Sequence, residues 1–202
     1  MQNLRKIETA AQKIELLYTT PSEWKEIAVK NFDLFIVDHA ACERKASAMG
    51  MQFVVRYPDK PYLIEAMIRF AREELYHFHQ VCKWVLKRGL NLASDEKNIY
   101  INALLSKVRN GREEHFLDRL LVCGIVEARG HERFSMMAEA LEPGELKTFY
   151  EKISLAETEH HELFIQISLK YFNEEKVYAR LHELLQVEAE VIKSLPLRPA
   201  VH

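Results

Sequence analysis

The chain has 202 residues, of which 48% are hydrophobic and 29% charged, and this balance excludes an intrinsically disordered protein. A formal net charge of −2 speaks against a strongly basic nucleic-acid-binding protein and leaves room only for a local basic patch. No apolar run approaches the ~20 residues of a membrane span, and the N-terminus lacks the apolar core of a signal peptide. We therefore expect one cytoplasmic domain over residues 1–202 with no membrane contact. Cys42, Cys82 and Cys123 form no CxxC pair and are expected to be buried free thiols.

Long helices are the expected elements, because Gly and Pro are few and lie mostly between periodic segments. The first 20 residues are expected to form a helical lead-in, and Pro21-Ser22 starts the next element. Four long segments then repeat apolar residues in alternating steps of three and four. This pattern predicts four helices, each with one face, here called the seam, turned towards the core of a bundle. The predicted seams cover residues 32–53, 63–84, 116–141 and 146–171.

The connections predict how these helices are ordered. Short links at 57–61 and 142–144 contain Pro or Pro-Gly and are typical of antiparallel hairpins. Residues 89–111 form a much longer connection, with a short helix expected near 96–108. Two hairpins joined by one long crossover is the ferritin-like topology, so we expect an all-α, ferritin-like four-helix bundle. A further helix is expected near 174–195, with Pro196 and Pro199 ending the ordered chain and residues 196–202 forming a tail.

Each predicted seam carries a glutamate near its middle: Glu43, Glu74, Glu127 and Glu157. An unpaired buried carboxylate costs several kcal/mol. Four in one core would outweigh the ~5–15 kcal/mol by which an ordinary domain is stable. The pattern therefore indicates that positive charge lies among these four side chains.

A histidine follows two of the glutamates by three residues, in the pairs Glu74–His77 and Glu157–His160. Three residues turn a helix by about 300° and raise it by ~4.5 Å, so the two side chains of each pair lie on one face. One Glu from each of two helices, plus Glu-x-x-His from each of the other two, is the arrangement of di-iron carboxylate bundles. The predicted metal ligands are Glu43, Glu74, His77, Glu127, Glu157 and His160.

The same half-site occurs in both hairpins, because Glu74 follows Glu43 by 31 residues and Glu157 follows Glu127 by 30. Four carboxylates balance two divalent cations, and mixed oxygen and nitrogen ligands suit iron or manganese. Iron is preferred because two irons can share the electrons that reduce oxygen, while the residues alone leave manganese open. We expect a carboxylate-bridged centre of two iron ions with O₂ as co-substrate, and no catalytic residue beyond the ligands.

Several side chains near these ligands have two readings. The flanking residues off the seam, for which a solvated face is the favoured interpretation, are Glu73, Glu159, Glu162, His79 and His161. His39 and His131 lie one turn from Glu43 and Glu127, and each is expected to support a ligand, line a substrate pocket or be a hydrogen-bonded core histidine. Tyr76 and Tyr150 are expected to be packing residues.

Basic residues cluster loosely at two places. Lys83, Lys87 and Arg88 end the second seam helix, and the others lie before or within the third, at Lys107, Arg109, Arg112, Arg129 and Arg133. Ordinary helix-surface charge is the favoured reading, and phosphate contacts with a nucleic acid are the alternative.

Four stretches around the predicted ligands resemble the bacterial tRNA hydroxylase family MiaE: DHAACERKA at 38–46, REELYHF at 72–78, VEARGHERF at 126–134 and LAETEHHEL at 155–163. The resemblance covers nearly the whole chain. It implies a non-haem di-iron monooxygenase that hydroxylates the isopentenyl group of 2-methylthio-N-isopentenyladenosine beside the tRNA anticodon. It also implies O₂, two electrons from a reductase or ferredoxin-type partner, and the same six ligands.

Three other functions share parts of this pattern. A di-iron hydroxylase of a quinone or lipid would use the same ligands, and a ferritin-like protein for iron oxidation or storage would form a large cage. A bundle without metal is the third. We expect a monomer or small oligomer, which favours the hydroxylase.

Overall fold

Seven helices make up the part of the chain described by the computed structural model, which comprises residues 13–94 and 96–202. No strand occurs in these residues, and the predicted all-α class is confirmed. The helices are α1 (Glu23–Lys30), α2 (Phe32–Arg56), α3 (Pro61–Lys87), α4 (Ile99–Leu105), α5 (Arg112–Ala140), α6 (Glu145–Tyr171) and α7 (Glu174–Ser194). Over the described residues, no helix is both long and apolar enough to cross a membrane.

The chain folds into two antiparallel hairpins, α2 with α3 and α5 with α6, joined by a long crossover that contains α4. Pro61 begins α3, where its missing amide hydrogen has no helical partner to lose. Gly89 ends that helix with φ at +72°, a left-handed conformation that glycine adopts without steric penalty. The crossover then runs to α4, where the Asn98 side chain accepts a hydrogen bond from the amide of Ile101. This is the predicted ferritin-like topology.

Apolar side chains pack at both ends of the bundle, on either side of its middle layer. One cluster gathers around Phe35, Phe134 and Tyr150, and a second gathers around Phe70 and Phe164 at the opposite end. Each fully buried side chain of this size contributes roughly 1.5–3 kcal/mol. The layer between the two clusters is where the seam glutamates lie, so their carboxylates are enclosed by apolar side chains.

The α7 helix packs on the outside of the second hairpin, where a third cluster joins it to α4 and α5. A buried ion pair lies in this contact, since the Arg129 guanidinium donates to Glu188 at 2.7 Å and neither side chain is exposed. Tyr100 of α4 also donates to Glu188, at 3.0 Å. One carboxylate therefore ties three helices together.

The predicted helical lead-in is wrong for residues 13–20, which are not helical, while residues 1–12 lie outside the described chain. The physical reason is competition for backbone groups. The amide of Thr20 donates to Glu132 at 3.0 Å, and Arg129 donates to the carbonyl of Tyr18 at 2.8 Å. Side chains of α5 thus bind backbone atoms that a helix would use itself, and α1 begins only after Pro21-Ser22, as predicted.

The prediction that Pro196 ends the ordered chain is also wrong. Val201 is 1% exposed, and its amide donates to Asp38 of α2 at 2.7 Å. Arg133 of α5 donates to the carbonyls of Ala200 at 3.1 Å and Val201 at 3.2 Å. The prolines stop the helix without stopping the order, and residues 200–202 lie between α2 and α5.

Candidate metal centre

The six residues selected by helical periodicity meet between the two apolar end clusters. Each of four helices supplies one glutamate, and every one of these is buried, with 7% or less exposed. The side chains come from α2 (Glu43), α3 (Glu74 and His77), α5 (Glu127) and α6 (Glu157 and His160). The heptad-like spacing of each seam is therefore sufficient to bring together residues that are up to 117 positions apart along the chain.

These side chains form two overlapping groups, and in each group one ligand atom per residue lies within 4.8 Å of all the others. The groups are Glu43, Glu74, His77 and Glu157, and Glu74, Glu127, Glu157 and His160. Glu74 and Glu157 belong to both. The glutamate of each Glu-x-x-His pair could therefore be shared by two ions, and each group would hold its ion with one further carboxylate and one imidazole.

Five buried atoms at this centre have no hydrogen-bond partner in the described chain, and all five belong to the predicted ligands. They are Oε2 of Glu43, Oε1 of Glu74, Oε2 of Glu157, and Nδ1 of His77 and His160. His160 Nδ1 lies 2.7 Å from Glu74 Oε1 and 3.4 Å from Glu157 Oε2 without hydrogen-bond alignment. Unpaired buried polar atoms are destabilising, and two cations, one in each ligand group, would satisfy all five. The residues therefore fit a metal site.

The electrostatics of the cluster point the same way. Burial, and then the charges of Glu43 and Glu157, raise the pKa of Glu74 well above its usual range. Burial and Glu157 likewise raise the pKa of Glu127. Burial opposes charge on Glu157 as well, but His160 lowers the pKa of Glu157 to about 2. Negative charge is thus crowded in a dry core, and binding of cations would release protons from it.

Two further side chains hold the predicted ligands in place. His39 is fully buried, donates from Nε2 to Glu43 Oε1 at 2.6 Å and accepts at Nδ1 from the Tyr150 hydroxyl at 3.2 Å. Of its three expected roles, support of a ligand is the one that this geometry fits. Glu73 accepts from His160 Nε2 at 3.2 Å, so the solvated-face interpretation of Glu73 is incomplete. Its side chain is 60% exposed but also orients His160, a predicted ligand.

The antiparallel register of α3 and α6 explains the Glu73 contact, which the periodicity of one helix does not reveal. Trp84 lies against Phe149, with ring centroids 6.2 Å apart, and Lys87 pairs with Glu145 at 3.5 Å. Following this register inwards brings position 73 beside His160. A prediction that paired the two helices in register, instead of reading each alone, could have found this residue.

The other candidate histidines lie outside both groups. His131 donates from Nδ1 to the carbonyl of Ser154 at 2.7 Å, so it joins α5 to α6 as a core histidine. His161 is buried, against expectation, with neither ring nitrogen hydrogen-bonded in the described chain. Burial and His131 lower the pKa of His161 to about 4. Tyr76 is exposed, so its packing role is not observed, whereas Tyr150 is buried and hydrogen-bonded to His39.

Two of the basic residues considered as phosphate contacts are internal. Arg129 is fully buried in its pair with Glu188, and Arg133 is 5% exposed, with its guanidinium 5.2 Å from the centre of the Trp24 ring. Both the helix-surface and the phosphate interpretation are wrong for these two. Arg88, by contrast, is paired with Asp33 at 2.6 Å on the surface.

Comparisons with known proteins identify the family of this chain. A family profile described as "tRNA-(MS[2]IO[6]A)-hydroxylase (MiaE)" matches residues 7–202. A tRNA 2-(methylsulfanyl)-N(6)-isopentenyladenosine(37) hydroxylase from Pseudomonas putida is 32% identical over 176 residues, covering 87% of this chain and 85% of its own. The protein of the same description from Salmonella typhimurium is 25% identical over 224 residues, covering 87% and 82%.

A solved structure also matches closely. It is described as protein 43 with aldehyde deformylating oxygenase activity from Synechococcus. Its TM-score is 0.87 at 33% identity, over 92% of this chain and 93% of its own. The profile covers nearly all of the chain, and the four motif stretches that hold the buried carboxylates lie within it. This chain belongs to the MiaE family of tRNA hydroxylases.

Proposed function

We propose that this protein is a di-iron monooxygenase that hydroxylates the isopentenyl group of 2-methylthio-N-isopentenyladenosine beside the tRNA anticodon. One oxygen atom of O₂ would become the new hydroxyl, and two electrons would reduce the other to water. The observation that carries the proposal is the pair of overlapping ligand groups sharing Glu74 and Glu157, in a chain whose family is named for this reaction.

The proposed ligands divide by their positions. One iron would bind Glu43 and His77, the other would bind Glu127 and His160, and the two carboxylates common to both groups would bridge them. Two ferrous ions held there would supply the binding and reduction of O₂. Their charge of +4 balances the four carboxylates, which supports two ions over one.

The protein's own side chains orient and enclose this chemistry. His39 holds Glu43 through a 2.6 Å hydrogen bond, and Glu73 holds His160 from the opposite side. Phe134 lies 4.5 Å from the His39 ring, and Phe70 meets His160 edge-on at 4.9 Å. Such packing fixes the direction of each ligand and keeps water away from the reacting group, so that it cannot compete with the substrate carbon.

The remaining elements of the proposal follow from the reaction. A tRNA substrate places the enzyme in the cytoplasm, and the two electrons require a reductase or ferredoxin-type partner. We propose that residues 1–202 form one domain that acts as a monomer or small oligomer. A sizing column separates this from the cage that iron storage requires.

The direct test is a single turnover with tRNA that carries the isopentenyl nucleoside. Protein loaded with ferrous iron is mixed with ¹⁸O₂, and the nucleosides are analysed by mass spectrometry. We expect a product heavier by one ¹⁸O atom. The Glu74→Ala variant should form none, whereas Glu159→Ala, which removes an exposed carboxylate on α6, should behave as wild type. A product oxygen that comes from water would refute the proposed reaction.

A second candidate is favoured by the Synechococcus structure, whose description names an aldehyde deformylating oxygenase activity. This activity would use the same ligands with an aldehyde in place of tRNA. The same reduced protein is therefore incubated with such an aldehyde, and the hydrocarbon is measured by gas chromatography. Turnover of the aldehyde without turnover of tRNA would select this candidate.

A further inference from the structure

A cavity of about 570 Å³ opens between α2 and α5, within the range of roughly 300–1,000 Å³ that is usual for small-molecule and cofactor pockets. It lies beyond the metal centre, at the end where α2 finishes and α5 begins. Its lining includes Met51 and Val55, both apolar and exposed, at 46% and 79%. We call it the α2–α5 groove. None of its residues is a predicted metal ligand.

The charge of the groove is positive. Arg56 of α2 and Arg119 of α5 both line it, and neither forms an ion pair with a carboxylate in the described residues. The guanidinium of Arg119 lies 5.9 Å from the centre of the Phe53 ring. Burial, and then the two arginines, lower the pKa of the neighbouring His115. Burial, and to a smaller extent the Glu113 carboxylate, raises the pKa of Tyr57, which lines the groove. Glu113 itself is exposed to solvent on the first turn of α5. Two guanidinium groups without carboxylate partners suit an anion such as phosphate.

The groove and the predicted ligand Glu127 share the helix α5. On α5, Arg119, Cys123 and Glu127 are spaced by four residues and share one face. From Arg119 to Glu127 the helix rises by about 12 Å. A 5′-phosphorylated adenosine with an isopentenyl group on N6 has a comparable length from its phosphate to its terminal methyls. The thiol of Cys123 lies 3.5 Å from the sulfur of Met49, so two polarisable apolar side chains separate the groove from Glu127.

At its other end, the interface between α2 and α5 is closed. Residues 200–202 lie between α2 and α5 on the far side of the metal centre, with His202 donating to the carbonyl of Val126 at 3.1 Å and stacked on Tyr100. The interface between α2 and α5 is therefore filled by residues 200–202 at one end and open at the other. An approach to Glu127 between these two helices begins in the groove.

We propose that the α2–α5 groove binds the substrate nucleotide of the anticodon loop, with Arg56 and Arg119 contacting RNA phosphates. In this arrangement the isopentenyl group extends past Met49 and Cys123 to the metal centre. The inference rests on the proposed function for the identity of the RNA. It adds the surface that receives the nucleotide and the two residues that hold it.

The first test measures binding of an anticodon stem-loop RNA that carries the isopentenyl nucleoside, by fluorescence anisotropy at several salt concentrations. Each phosphate contact to a single strand adds about 0.7 to the slope of log affinity against log salt. We expect Arg56→Ala and Arg119→Ala each to lower the slope by about 0.7. The ratio of wild-type affinity to variant affinity should therefore be about fivefold larger at about 0.1 M salt than at 1 M salt.

Arg88→Ala is the matched control, because it removes an exposed arginine at the opposite end of the bundle. It should leave both the slope and the affinity unchanged. Iron content and melting temperature are measured for every variant, so that a loss of fold is recognised. Equal slopes for wild type, Arg56→Ala and Arg119→Ala would overturn the groove assignment. If wild type hydroxylates tRNA in the same series, that result leaves the proposed function intact.

A second variant tests the path from the groove to the metal centre. Met49→Trp fills the space beside Cys123 with a rigid ring, while both arginines remain. We expect RNA affinity and iron content to stay within about twofold of wild type, with hydroxylation lost. Wild-type turnover in this variant would show that the isopentenyl group reaches the metal by another route.

Discussion

His39 shows how a residue outside the predicted ligand set can control a predicted ligand. It occupies a seam position one turn before Glu43 and is fully buried. Its ring has two hydrogen bonds, one to Glu43 and one to Tyr150 of α6. The Tyr150 hydroxyl fixes the tautomer, because it donates to Nδ1 and so leaves the proton on Nε2 for the carboxylate. Two side chains, one from each hairpin, thereby set the direction of one carboxylate oxygen.

Replacing His39 should therefore weaken metal binding without removing a ligand. We expect His39→Leu to lower iron affinity by ~10–100-fold, the usual effect of losing a hydrogen-bond partner of a ligand. Tyr150→Phe keeps the His39–Glu43 bond and should have a smaller effect. Competition with a coloured chelator measures both. Equal losses in the two variants would indicate that the tyrosine acts on the metal by a different route.

The two kinds of carboxylate should differ in their effect on iron content. Glu74 belongs to both ligand groups and Glu43 to one. We expect wild type to hold about two irons per chain, Glu43→Ala about one, and Glu74→Ala close to none. Metal analysis after anaerobic loading checks these values. The same iron content in Glu43→Ala and Glu74→Ala would contradict the shared position of Glu74.

At this scale the sequence is informative about residues that face the core and uninformative about those that do not. Helical spacing alone places six side chains at one centre, because four carboxylates buried together require positive charge among them. It misses Glu73, whose role depends on the register between α3 and α6, which no single helix encodes. It misjudges Arg129, whose burial depends on Glu188, 59 positions further along the chain.

Among the helices, α5 is held to its surroundings by an ion cluster around Asp118. This carboxylate is fully buried and pairs with Arg109 of the crossover at 2.7 Å and with Arg180 of α7 at 2.9 Å. The amide of Arg109 also donates to it, at 2.9 Å. Burial opposes charge on Asp118, but the hydrogen bonds from the two arginines outweigh it and lower its pKa. The cluster fixes where the crossover ends and α5 starts.

The lowered pKa of Asp118 predicts how this cluster responds to acid. Its contribution to the free energy of unfolding is complete above the unfolded value near ~3.9 and is lost as the pH falls through the lower folded value. Asp118→Asn should reduce stability by roughly 1.5–3 kcal/mol at neutral pH. We expect the difference between wild type and variant to shrink as the pH falls below about 4. Urea unfolding at several pH values measures it, and a constant difference would contradict the assignment.

Elements with long periodic patterns are predicted well from the sequence, and elements that depend on partners are not. The four bundle helices agree with their predicted seams to within a few residues at each end, because three- and four-residue spacing is a local property. Residues 13–20 and 200–202 lack such a pattern. Their conformation is set by contacts with Glu132, Arg133 and Asp38, which lie more than 60 positions away along the chain.

For the molecule as a whole, metal should act as a cross-link between the two hairpins. Each hairpin contributes one shared carboxylate, so both must be docked before either ion is fully bound. At a metal concentration of about 100 times the dissociation constant, binding adds ~2.7 kcal/mol to the free energy of unfolding. This corresponds to a rise in melting temperature of roughly 5–10 °C for a chain of this size. Calorimetry with and without ferrous iron measures the rise, and Glu74→Ala should show none.

The α2–α5 groove belongs to this largest scale and could not be predicted from the sequence. Arg56 and Arg119 stand outside the basic clusters of the sequence, because they are 63 positions apart and are flanked by apolar and acidic residues. A net charge of −2 also gives no sign of the positive surface that α2 and α5 form together. The net charge of a chain does not show where its positive side chains come together in the fold.

The contact between Glu73 and His160 has a consequence for electron transfer. It joins an exposed carboxylate to an imidazole at the core, and the hydrogen bond lowers the pKa of Glu73. An anionic partner makes a ligand imidazole a stronger electron donor and would favour the ferric state of an iron held by His160. A cationic surface of a reductase that neutralised Glu73 on docking would therefore raise the reduction potential at that iron. The site would accept electrons most readily while the donor is bound.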